Sequence, residues 1–144
     1  MTLKITNQKT FDFSQLKELF ESVGWESAND PKSLILGLLF SSNVISCWHE
    51  DKLVGIIRSM DDGYWSANID CLLVHKDYQG KGIGRELLEV LLALLKDVKY
   101  INVAPDSRKQ IKFYKKAGFT LIKGCYLQKR NWITYTSRDL DEND

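Results

Sequence analysis

The sequence predicts one α/β (α+β) domain over residues 1–144, a central mixed, mostly antiparallel sheet of about seven strands flanked by about four helices. Apolar residues alternate with period two in some short segments and recur at helical spacing in others. The resulting order is β α α β β β α β α β β, with no internal repeat or linker. Composition agrees: 44% apolar and 27% charged residues is an ordinary globular mix. A chain of this length buries roughly two thirds of its unfolded surface, enough for one core.

Residues 3–7 alternate as a short strand. Asp12 is placed to cap a helix running to Glu21, with Gln15 completing a capping box and Gly24 stopping it. Asp30-Pro31 opens a second helix, an N-cap residue followed by proline, and its Leu34, Ile35, Leu38 and Leu39 stripe should be buried. Residues 44–49 and 52–59 are β-rich and meet at a tight turn near Glu50-Asp51. Asp61-Asp62-Gly63 then turns the chain into a strand ending at Val74, which makes an antiparallel meander. Between residues 84 and 96, Leu87, Leu88, Leu91, Leu92 and Leu95 share one helical face. Residues 100–104 read as a strand, Ser107 as an N-cap and 111–117 as a helix body ended by Gly118. Two closing strands are expected near 119–122 and 127–136.

A net charge of +1 argues against an extended nucleic-acid footprint, which needs many basic residues facing phosphates. The three cysteines, Cys47, Cys71 and Cys125, are odd in number and widely separated, unlike a disulfide framework or zinc site. His49 and His75 are isolated, so no metal is expected. No stretch has the ~18 apolar residues of a membrane span, and no signal-peptide run opens the chain, so a cytoplasmic location is expected.

Between the strand ending at Val74 and the helix residue Arg85 lies Gln79-Gly80-Lys81-Gly82-Ile83-Gly84. Alternating glycines let backbone approach a ligand. At a helix start, unpaired amides and the positive end of the macrodipole suit a phosphate or pyrophosphate. A P-loop is excluded because Gly84 is followed by Arg85-Glu86 rather than Lys-Ser/Thr. The dinucleotide fingerprint is excluded because the spacing is G-x-G-x-G and the loop follows four predicted strands.

Gln79, Gly82 and Gly84 fill the Arg/Gln-x-x-Gly-x-Gly/Ala motif of the GCN5-related N-acetyltransferases (GNAT), and the run from Val74 to Gly84 resembles that family's strand-to-helix passage. Phe113-Tyr114-Lys115-Lys116-Ala117-Gly118-Phe119 is similar to its second hallmark, an aromatic-Tyr pair ahead of Gly-Phe. Where the family often has Asn and Ala before the Tyr, this chain has Ser107 and Gln110. The resemblance extends over nearly the whole chain and implies a GNAT domain using acetyl-CoA.

On that resemblance, Gln79, Gly80, Lys81, Gly82, Ile83, Gly84 and Arg85 bind the CoA pyrophosphate, and the strand edge Leu72-Leu73-Val74 aligns pantetheine. Arg108, Lys109 and Lys112 are candidates for the 3′-phosphate. An alkylamine with a pKa of ~10.4 is almost wholly protonated at neutral pH, a loss of ~4 to 5 kcal/mol that a base must recover. Alternation places Asp70 on one face with Leu72 and Val74, making it the candidate base, with structural pairing to a nearby Arg or Lys as the alternative. Tyr114 matches the family position that protonates the leaving thiolate, and an amide near Val74 is the candidate oxyanion donor. Trp25, Trp48, Trp65, Arg58, Asp61 and Asp62 border the acceptor cleft by resemblance, and their mix of acids and aromatics suits a cationic amine. The expected acceptor is a small-molecule amine or peptide, without nucleic acid or membrane, and a homodimer is left open. A non-catalytic acyl-CoA-binding domain on the same fold is the alternative.

Overall fold

A computed structural model describes residues 1–105, 107–122, 127 and 129. The chain divides into two compact units, Met1–Arg108 and Lys109–Asp144.

The first unit holds β1 (Lys4–Thr6), α1 (Phe13–Ser22), α2 (Pro31–Leu39), β2 (Asn43–His49), β3 (Lys52–Asp61), β4 (Ser66–Val74), α3 (Ile83–Leu94) and β5 (Tyr100–Val103). The strands form one sheet in the order β1-β2-β3-β4-β5, antiparallel except for the parallel β4–β5 pair. Local chemistry explains the element boundaries. The Asp12–Gln15 capping box starts α1, and Asp30 accepts the Ser33 N–H at 3.2 Å to start α2. Gly24, at φ +74°, ends α1 in a Schellman motif: the Trp25 N–H donates to the Phe20 carbonyl, Gly24 N–H to that of Glu21, and the two aromatic rings meet edge-on at 5.9 Å.

One sheet face packs Val44, Leu53, Ile56 and Leu73 against Leu16, Leu19, Phe20 and Leu38 from α1 and α2. α3 covers the other face, burying Ile83, Leu87, Leu88 and Leu91. It comes so close to β3 that a Cβ on Gly55 would lie 3.0 Å from both Ile83 Cγ2 and Leu87 Cδ1. The α2 stripe is buried less than its sequence suggests. Only Leu38 is fully buried, Leu34 and Ile35 are half-buried, and Leu36, Leu39 and the following Phe40 are exposed. A nine-residue helix with apolar residues around most of its circumference cannot turn all of them inward.

In the second unit, α4 (Arg108–Lys116), whose first residue closes the first unit, ends at Gly118, φ +98°. The Phe119 N–H donates to the Tyr114 carbonyl, Gly118 N–H to that of Lys115, and the Tyr114 and Phe119 rings meet at 5.4 Å. This is the same motif that ends α1. Residues 119–122, expected as a strand, are not one, so the sheet has five strands among the described residues. The last expected strand, 127–136, lies outside the described residues apart from Leu127 and Lys129.

Candidate active site

β4 changes character halfway along. Its parallel ladder with β5 runs from Ser66↔Tyr100 to Ile69↔Val103 and stops, leaving residues 70–74 without a β5 partner. A bulge lies at the same point of the strand. On β3 the register moves two residues, from Ile56 to Arg58, while β4 moves three, from Leu73 to Asp70. Cys71 takes up the extra residue at φ +54°, a left-handed conformation usually given to glycine, which costs another residue about 1–2 kcal/mol. Leu72, Leu73 and Val74 lie along a strand edge outside the β4–β5 ladder.

The bulge also corrects the face assigned to Asp70. Cross-strand partners share a face, so Asp70 lies with Arg58, Leu73 and Ile56, whereas Val74, opposite Gly55, lies on the α3 side. Uninterrupted alternation does not survive the inserted residue.

Past Val74, the 3₁₀ turn Lys76–Tyr78 leads into the glycine loop. Gly80 and Gly82 adopt φ +79° and +83°, and a Cβ at Gly80 would meet nothing within 4 Å. These glycines are thus set by backbone conformation, with open space beside the first. Gly82 is the N-cap of α3 and offers no side-chain cap. The first intrahelical bond is Glu86 N–H to the Gly82 carbonyl at 3.1 Å, so the amides of Ile83, Gly84 and Arg85 have no acceptor within the helix. Gln79 Nε2 donates to the Val74 carbonyl at 3.0 Å and ties the loop back to the strand end. Lys81 and Arg85 are exposed beside it, with Arg85 loosely paired to Glu89 at 3.9 Å. Amides without helical acceptors and the positive end of the macrodipole meet at this helix start, the kind of terminus that suits an anion.

At the bulge, Arg58 grips Asp70 with two bonds: Nε to Oδ1, and Nη2 to Oδ2 at 3.0 Å. Its Nη1 donates to Ser41 Oγ, just past α2, at 3.3 Å. Burial alone would lower the Arg58 pKa, but the Asp70 carboxylate outweighs it and the guanidinium is raised further above its ordinary value. Cys71 lies next to this pair. Burial, reinforced by the Asp70 charge, pushes its thiol up to about 12, so it is a neutral neighbour and not a thiolate. The pairing expected as the alternative for Asp70 is therefore present, although its carboxylate is half-exposed and keeps lone pairs beyond those given to Arg58.

Other expected acceptor residues have structural partners. Trp25 packs on Phe20. Asp61 Oδ2 accepts from Asn43 Nδ2 at 3.1 Å and Ser59 Oγ at 3.2 Å. Asp62 Oδ1 accepts the Tyr64, Trp65 and Ser66 amides, which hold its carboxyl below the ordinary range and build the β3–β4 turn. Trp48 Nε1 donates to Ser46 Oγ, and Trp65 lies exposed against Tyr100 under Lys99. In the second unit Tyr114 is buried, with Phe113 edge-on at 5.2 Å. Arg108, Lys109 and Lys112 are exposed.

Two contributors escaped sequence reasoning. Gly55 lets α3 approach the sheet, and a glycine inside a strand was the available signal. Arg58 was placed near the acceptor but not as the partner of Asp70, because that pairing depends on the bulge.

A parallel pair whose ladder ends midway along β4, next to a helix start whose first amides have no acceptor within the helix, is the geometry these residues bring together. The acetyltransferase (GNAT) domain family matches residues 41–121, and the chain belongs to that family. An uncharacterized N-acetyltransferase, ycf52, of Porphyra purpurea is 30% identical over 88% of this chain and 77% of its own length. A histone acetyltransferase of Glycine max is also 30% identical, over 80% of this chain and 56% of its own. A solved GNAT family acetyltransferase of Streptococcus pneumoniae superposes with a TM-score of 0.76 at 26% identity, covering 90% of this chain and all of that one. The chain is thus an acetyltransferase by family, with the mixed α+β fold that family has.

Proposed function

We propose that the protein transfers an acetyl group from acetyl-CoA to a primary amine of a small molecule or peptide, directly within a ternary complex. The observation that carries this reading is the β4 edge outside the β5 ladder leading into the Gly80–Gly82 turns and the amides at the start of α3. The pyrophosphate would occupy the helix start, and pantetheine would add to the edge at 72–74. In this reading an acceptor ammonium is drawn to Asp70 and loses its proton to the carboxylate or to water beside it. The amine nitrogen attacks the acetyl carbonyl, an amide near Val74 steadies the oxyanion, and the C–S bond breaks as the nitrogen gives up its second proton to water. Tyr114, assigned by its place in the family's motif, gives its phenol proton to the thiolate and is reprotonated from solvent, leaving an N-acetylated amine, free CoA thiol and one net proton released.

Thiol release from acetyl-CoA, followed over a panel of primary amines and lysine-containing peptides, tests the proposal. The expected result is release that depends on the amine and is matched by acetylated product. Saturable acetyl-CoA binding with no transfer to any member would favour the non-catalytic reading.

A further inference from the structure

The turn that feeds the phosphate loop rests on side chains the mechanism above does not use. His75, the residue after β4, is buried, and its backbone N–H donates to the Val54 carbonyl at 2.8 Å, fixing it to β3. Its ring Nδ1 accepts the Asp77 N–H at 3.1 Å, making His75 the N-cap of the Lys76–Tyr78 turn. The Tyr78 N–H closes that turn on the His75 carbonyl at 2.8 Å. A ring nitrogen that accepts carries no proton, so the imidazole proton belongs on Nε2, 3.5 Å from Glu18 Oε1 of α1.

Tyr78 is anchored as well. Its phenol shares a 2.7 Å hydrogen bond with His49 Nδ1, and its ring meets those of His49 and His75 edge-on at 5.6 and 5.8 Å. Lys52 Nζ lies 5.5 Å from the ring centroid and 3.2 Å from Glu18. The next residue, Gln79, is the first of the loop and is tied to Val74.

We propose that His75 is a positioning residue for donor binding: its Nδ1 cap holds the one-turn pedestal that delivers Tyr78 and Gln79 into the phosphate loop. This rests on the acetyl-CoA reading above. A loop already held in its binding conformation loses less entropy when the pyrophosphate arrives, so the cap acts on donor affinity. It leaves the reacting atoms alone, so turnover at saturating donor is unaffected.

Two substitutions separate the ring's two contacts. Asparagine places an oxygen where Nδ1 stands and keeps the cap, whereas glutamine reaches toward the Nε2 position and abandons it. His75→Gln is expected to raise the KM for acetyl-CoA about 2- to 30-fold, the range that follows from losing an N-cap, with kcat within about twofold. His75→Asn is expected to stay within about twofold of wild type in both constants. Equal shifts in both variants, no shift in either, or a loss confined to kcat would overturn the proposal. If His75→Gln does not fold by its melting curve, Glu18→Gln serves instead. It removes the Nε2 contact and spares the cap, so unchanged donor KM is expected and a raised one contradicts the proposal. Calorimetric titration of the wild type with acetyl-CoA separates the two levels of failure. No binding there defeats the donor reading itself, whereas binding that the two His75 variants share equally defeats only the role of His75.

Discussion

At its C-terminal end, β4 hands over to groups that belong to the backbone: the edge at 72–74, the turns at Gly80 and Gly82, and the amides opening α3. At its middle the functional candidates are side chains from separate segments, Arg58 on β3, Asp70 on β4 and Ser41 after α2, joined by hydrogen bonds. The proposed donor site therefore tolerates many side-chain changes and fails at its glycines, whereas in the proposed acceptor site each change strands a partner. One is a conformation and the other a pairing.

Asp70→Asn probes the pairing and carries the largest expected effect. The proposed base role predicts that turnover falls ~10² to 10⁴-fold at neutral pH. The deficit shrinks as pH rises toward the acceptor's ~10.4, because free amine then needs no base. A mutant-to-wild-type ratio that stays flat with pH would reduce Asp70 to a strut for Arg58. Tyr114→Phe comes next. Its ring keeps its place in the Schellman motif against Phe119, so folding should change by no more than ~1 kcal/mol. Turnover should fall by ~10² or less, since a thiolate leaves easily. Wild-type turnover with chemistry rate-limiting would return Tyr114 to the core. Gly55→Val sharpens the donor side through packing alone. Forcing a side chain between β3 and the Ile83–Leu87 face costs ~1–3 kcal/mol. It should lower the melting temperature by several degrees and weaken acetyl-CoA binding less than a change inside the loop does. Unaltered stability would mean that α3 shifts freely on the sheet.

The same contrast decides what the sequence could reveal. Caps and loop glycines act on their own neighbours, so Asp12, Asp30 and the Gly80–Gly82 run point to their structures before any tertiary contact is known. The Arg58–Asp70 pair requires the β3–β4 register, and that register turns on a bulge carried by Cys71, where no glycine announces it. His49 and His75 look isolated because their meeting at Tyr78 depends on the Glu50 turn and the end of β4 coming together. Asp61 and Asp62, plausible near a cationic acceptor, are claimed by the turn they build. Alternation also overcounted: residues 119–122 have a strand-like sequence without strand structure.

Calorimetric titration of acetyl-CoA into the wild type and Gly82→Asp asks whether the pyrophosphate is held at the start of α3. Aspartate tolerates a left-handed N-cap better than most residues, and its Cβ would meet only Arg85 Nη2 at 3.9 Å, so the variant should fold. Its carboxylate would instead occupy the α3 amides and repel the pyrophosphate. Saturable binding to the wild type and none to the folded variant is expected; equal affinity in both would move the pyrophosphate away from the α3 amides.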